Sequence, residues 1–80
     1  AKIYVPVEIN GERGKTVFTA THRNHQAKLF WSVDDAFVAT TNAPHQVALN
    51  PSPGDHIITI TDEEGNSISR HFTIIDKEKN

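Results

Sequence analysis

The stretch Ala27-Lys28-Leu29-Phe30-Trp31-Ser32-Val33-Asp34-Asp35-Ala36-Phe37-Val38-Ala39-Thr40 decides the fold. Leu29, Trp31 and Val33 fall on every second position, the period of a half-buried β-strand and not of a helix. Asp34-Asp35 reads as a tight turn, and residues 36–40 return as a second strand. A tryptophan in the middle of such a strand must face a second layer, because one sheet cannot cover an indole on its own.

Working outward, the same period recurs on both sides. Toward the C-terminus, Thr41-Asn42-Ala43-Pro44 is a loop and residues 45–49 a strand. Pro51-Ser52-Pro53-Gly54 is the strongest turn signal. After it His56, Ile58 and Ile60 alternate inward, and Asp62-Glu63-Glu64-Gly65-Asn66 turns the chain again. The last strand is expected over 67–75, with Ile68, Arg70, Phe72 and Ile74 on one face and Arg70 near the strand's open end. Toward the N-terminus, Arg23-Asn24-His25-Gln26 precedes the strand expected over 27–33. Residues 15–22 form another, with Phe18 and Ala20 on one face and Val17 and Thr19 on the other. The turn Asn10-Gly11-Glu12-Arg13-Gly14 joins it to a first strand over 3–7. Pro6 lacks a ladder donor, which makes that first strand an edge.

About seven short strands and no sustained 3.6 period predict an all-β, immunoglobulin-like antiparallel sandwich of two sheets. It forms one domain over residues 1–80. Trp31 fits the buried tryptophan that such sandwiches carry on the third strand. No cysteine is present, so no disulfide framework or thiol chemistry exists, and the indole must pack directly on the facing sheet.

Composition excludes several function classes. A formal net charge of −2, with basic residues scattered along the chain, argues against nucleic-acid binding, which needs a basic face to replace counterions. No apolar run approaches the ~20 residues of a spanning helix. Methionine is absent, and strand-like sequence begins at once in Lys2-Ile3-Tyr4-Val5. Together these predict a piece of a larger protein. The polar end Asp76-Lys77-Glu78-Lys79-Asn80 reads as a frayed C-terminus.

From Pro53-Gly54-Asp55-His56 through Asp62 and Gly65-Asn66 to Arg70-His71-Phe72, the chain resembles the small domain that ends bacterial penicillin-binding proteins of the 1C type. Ile3-Tyr4-Val5-Pro6, Gly14-Lys15-Thr16-Val17-Phe18, Phe30-Trp31 with Asp34, and His45-Gln46 with Leu49 agree with it in order, so the likeness covers nearly the whole chain. Asp35 departs from the pattern, standing where an Asp-Gly turn would have glycine, which predicts a different turn there. The resemblance implies a parent with a membrane anchor, a peptidoglycan glycosyltransferase domain and a penicillin-binding transpeptidase domain. This segment would follow them, in the periplasm or otherwise outside the cytoplasmic membrane. The catalytic glutamate, serine and lysine of that family belong to the other domains, and none carries over to this chain.

The residues themselves agree. There is no Gly-x-Ser-x-Gly, no Ser-x-x-Lys and no phosphate-binding glycine loop, so no catalytic residue and no cofactor are assigned. The expected role is an accessory domain that contacts the preceding transpeptidase domain or an envelope protein. A carbohydrate-binding module holding peptidoglycan and a metal-stabilised spacer are the alternatives. Up-and-down tracing brings loops 22–27, 41–45 and 62–66 to one end, which makes His22, Arg23, His25 and His45 candidate binding residues near Asp62, Glu63 and Glu64. His22-x-x-His25 is a weak match to zinc-ligand spacing with no defined third ligand, so no metal is assigned. Tyr4, Phe30 and Phe37 are the aromatics available to stack on sugar rings, with ordinary packing the competing reading. Trp31, His56, Gly54, Gly65 and Phe72 are read as structural. His56 takes an inward position where related folds place a tyrosine bonded to backbone.

Overall fold

A computed structural model describes the backbone of residues 3–12 and 15–75 and the side chains from Thr16 to Ile75. The elements are β1 (Ile3–Glu12), β2 (Lys15–His22), β3 (Leu29–Val33), β4 (Ala36–Thr41), β5 (His45–Leu49), β6 (Gly54–Asp62) and β7 (Ser67–Ile74). All described pairings are antiparallel. One sheet has the order β1-β2-β5 and the other β4-β3-β6-β7. Two antiparallel β layers therefore stand as the alternation predicted, and no helix among the described residues is long and apolar enough to cross a membrane.

The core lies between the layers and follows the period-2 positions. Phe18, Leu29 and Trp31 are fully buried, and Ala20, Val47, Ile58, Ile60 and Phe72 complete the cluster. Phe18 and Phe72 meet edge to face across the sandwich, with centroids 5.0 Å apart. Burying one indole removes roughly 150–250 Å² from water, about 4–6 kcal/mol at 25 cal/mol per Å². An 80-residue domain has roughly 4–12 kcal/mol of net stability, so the burial of Trp31 is comparable in size to that whole margin.

Several boundaries differ from the sequence expectation. β1 continues through the turn expected at Asn10-Gly11-Glu12, because pairing with β2 runs on to Glu12↔Lys15; Arg13 and Gly14 lie outside the described residues. Pro6 falls where the β1–β2 register shifts, between Tyr4 and Glu8, on an edge strand. The third strand begins at Leu29 and not at 27, since the Ala27 N–H turns back to the Asn24 carbonyl at 3.1 Å. Arg70 sits in the middle of edge strand β7, not near its end, and escapes the core because that edge opens to solvent. Asp34 and Asp35 both adopt positive φ, 52° and 69°. The tight Val33↔Ala36 hairpin thus keeps the left-handed turn that glycine usually supplies, and no different turn is forced.

Candidate functional site

The loop end is built on the ends of β2 and β6. His22, the last residue of β2, continues the inward parity of Phe18 and Ala20 and is buried. Asp62, the last residue of β6, continues the parity of Ile58 and Ile60 and is also buried. The two meet across the sandwich, His22 Nε2 to Asp62 Oδ2 at 2.9 Å. The Asn24 N–H donates to His22 Nδ1 at 2.9 Å. Nδ1 is therefore an acceptor, which fixes the neutral tautomer with the proton on Nε2.

Asp62 organises its own hairpin as well. Its Oδ1 accepts the Glu64 and Asn66 N–H groups, each at 2.9 Å, and its Oδ2 accepts Asn66 Nδ2 at 2.8 Å. The His22 bond, followed by those from Asn66 and Glu64, holds the carboxyl well below the usual carboxylate range despite its burial. Gly65, at φ 90°, closes this turn in a conformation that side chains rarely adopt. The Lys28 N–H donates to Glu63 Oε1 at 3.1 Å and ties the neighbouring loop to the same hairpin. His22, Asn24, Ala27, Asp62, Glu63 and Glu64 line a shallow depression at this end.

A second polar chain lies beside it. Trp31 Nε1 donates to Thr41 Oγ1 at 2.8 Å, and Thr41 Oγ1 meets His45 Nδ1 at 2.7 Å. Thr41 belongs to β4 and His45 to β5, so the chain links the edges of the two sheets. His45 is buried, and its Nε2 has no hydrogen-bond partner. Burial, with nearby His22 adding to it, pushes its pKa down and keeps the ring neutral.

At the opposite end His56 is half-buried, with its ring stacked on Phe72 at 5.2 Å. Its Nδ1 lies 2.6 Å from Asp34 Oδ2 and its Nε2 lies 2.7 Å from the Ser52 carbonyl. Both partners are acceptors, so both nitrogens carry protons and the ring is an imidazolium. The Asp34 bond, then that to Ser52, raises the His56 pKa; the same His56 bond, then the Ile57 N–H, lowers that of Asp34. Asp34 is fastened from both sides, because its N–H donates to the Ile57 carbonyl and its Oδ1 accepts the Ile57 N–H. Gly54, at φ 120°, starts β6 in this corner.

The predicted residues thus divide. The loop reading brings His22, His45 and Asp62 to one end as expected, but it treats the two histidines as surface groups. They are buried because they extend the inward parity of β2 and β5. Arg23 and His25 are exposed in the loop between β2 and β3. Phe37 is 65% exposed, because the register slip between Trp31 and Ser32 sets it opposite Ser32 on the outer face. Phe30 is half-buried on that face. The Tyr4 side chain lies outside the described residues. Phe72 is in the core. Asn24, Asp34 and Thr41 are not among the site residues read from sequence, although Asp34 and Asn24 each carry the short polar side chain typical of a turn that bonds nearby backbone.

This arrangement ties loops together. Among the described residues no group of three or more His, Cys, Asp or Glu could hold a metal ion. No curated protein and no solved structure matches the chain. The sequence model of the Penicillin-Binding Protein C-terminus Family matches residues 1–74, nearly all of the chain. With its two-layer β architecture and its order of motifs, the chain belongs to the penicillin-binding protein C-terminus family.

Proposed function

We propose that this is a non-catalytic, immunoglobulin-like accessory domain of a membrane-anchored peptidoglycan synthase, working outside the cytoplasmic membrane, and that its loop end docks on the preceding transpeptidase domain. The sheet order β1-β2-β5 over β4-β3-β6-β7, with Trp31 on the third strand, supports the immunoglobulin-like assignment. Family membership supports the parent context. The docking reading rests chiefly on one observation: Ile3, at the start of β1, pairs with His22, so the chain enters the sandwich at the loop end. A domain preceding β1 is then nearest to loops 22–28 and 62–66. Those loops are already fixed by His22–Asp62 and Lys28–Glu63, so an interface there needs little further ordering of the chain. Arg23 and His25 are the exposed residues placed to touch the neighbour.

Chemical crosslinking of the full-length protein tests this. Replacing both Arg23 and His25 by Ala should reduce crosslinks between this domain and the one before it. An unchanged pattern removes the docking reading.

One observation favours a second reading. The exposed Phe37 ring lies on an outer sheet face shared with Phe30 and the hydroxyls of Ser32, Thr59 and Ser69. Such a face suits a glycan-binding module. Retention on isolated peptidoglycan, lost on Phe37→Ala, would support it over a purely protein-contacting role.

A further inference from the structure

Among the described residues the sandwich has four strand edges, and they differ. β1 contains Pro6 and a register shift, β4 has a register slip against β3, and β5 is only five residues long. β7 alone is long and regular. It pairs with β6 over eight consecutive positions, from Gly54↔Ile74 to Thr61↔Ser67. It contains no proline, and Ser67, Ser69, Arg70, His71 and Thr73 along it are all exposed.

The direction of its free backbone groups can be read from Arg70. Arg70 Nη1 donates to the Ser69 carbonyl at 3.2 Å, so that carbonyl points away from β6. In an antiparallel strand the N–H and C=O of one residue point to the same side, and alternate residues share it. Ser67, Ser69, His71 and Thr73 therefore offer their backbone groups to the open edge. A shallow groove beside it is lined by Ile57, Ser69, Arg70 and His71. Ile57 is 41% exposed there. The Thr73 hydroxyl donates to the Asp55 carboxylate at 2.9 Å, and Arg70 is the cationic side chain that lines the groove.

We propose that the β7 edge is a second interaction surface, which takes an extended acidic peptide segment of a partner protein by strand addition. The partner's main chain pairs with Ser67, Ser69, His71 and Thr73, which supplies affinity. An acidic side chain draws the Arg70 guanidinium off the Ser69 carbonyl, and an apolar side chain on the next residue, which takes the opposite face, covers Ile57, which supplies selectivity. A charge at an open edge also discourages pairing with a second copy, since a two-fold β7–β7 contact centred on Arg70 sets it against its own equivalent. The surface is separate from the loop end and does not depend on docking there.

The test is an NMR titration of the 80-residue chain with an acetylated nine-residue peptide alternating Glu and Val. The amides of Ser67, Ser69, His71 and Thr73 should shift and exchange more slowly with solvent. Arg70→Glu should weaken binding at least about 5-fold, the factor that corresponds to ~1 kcal/mol for a charge contact. The same peptide N-methylated at alternate residues should not bind, and a Lys/Val peptide should bind more weakly. The proposal is overturned by any of four results: no change at β7 with millimolar peptide, perturbations centred on another edge, indifference to both Arg70→Glu and N-methylation, or self-association through β7 without peptide.

Discussion

His22 Nε2 donates to Asp62 Oδ2 at 2.9 Å and joins the last residue of β2 in one sheet to the last residue of β6 in the other. The bond closes the sandwich at its loop end. Its acceptor is a carboxylate held ionised by four donors, His22, Asn66 through two groups, and Glu64.

That carboxylate gives acid sensitivity of known sign. The folded pKa of Asp62 lies below its ordinary 3.8, so its stabilisation is complete above 3.8 and is lost as pH falls toward the folded value. Asp62→Ala should lower Tm at neutral pH far more than Glu64→Ala, and the gap should shrink below pH 3.8. Thermal melts by circular dichroism at pH 7 and in acid check this.

The Trp31–Thr41–His45 chain gives a second expectation. Thr41→Val leaves the indole N–H without its acceptor at nearly constant volume and should cost about 1–3 kcal/mol. Trp31→Ala, which adds a cavity, should cost about 3–5 kcal/mol. Urea unfolding followed by circular dichroism measures both, and equal losses would mean that the hydrogen bond and not the packing dominates.

His56 and His45 should titrate with opposite effects. His56 is raised above 6.5, so its contribution is full below 6.5 and disappears as pH rises through the folded value. His45 is lowered, so the unfolded chain takes up its proton first and stability falls as pH drops below 6.5. The stability difference between the native chain and His56→Gln should therefore narrow with increasing pH. If it widens instead, the imidazolium clamp to Asp34 and Ser52 is wrong.

Asp35 holds a positive φ without being glycine. Asp35→Gly relieves roughly 1–2 kcal/mol of left-handed strain and loses roughly 0.5–1 kcal/mol to unfolded-chain entropy. The net should be stabilising by about 0.5–1 kcal/mol, a rise of several degrees in Tm for a domain of this size. A fall in Tm would show that the Asp35 side chain makes up for its own strain.

The sheet layers were legible because burial here obeys the two-residue period: Leu29, Trp31, Ile58 and Ile60 are inward, and their neighbours are not. The loop end was legible as a meeting place for the same reason, since strand parity carries His22 and Asp62 there. What sequence could not supply was the partner of each polar group. His22 and His45 look like surface histidines until the facing sheet is in place, 40 residues away in the case of Asp62. The clamp of His56 on Asp34 depends on a hairpin folding back beside β6, a non-local contact that no local motif encodes. Phe37 owes its exposure to a one-residue slip, and such a slip reverses which face a side chain takes.

The most direct test of the accessory-domain account is hydrogen–deuterium exchange on the full-length protein and on the 80-residue chain alone. Docking predicts that amides in loops 23–28 and 63–66 exchange more slowly in the full-length protein, while the Asp34–Ser52 end is unchanged. Equal exchange of those loops in the two forms would contradict it.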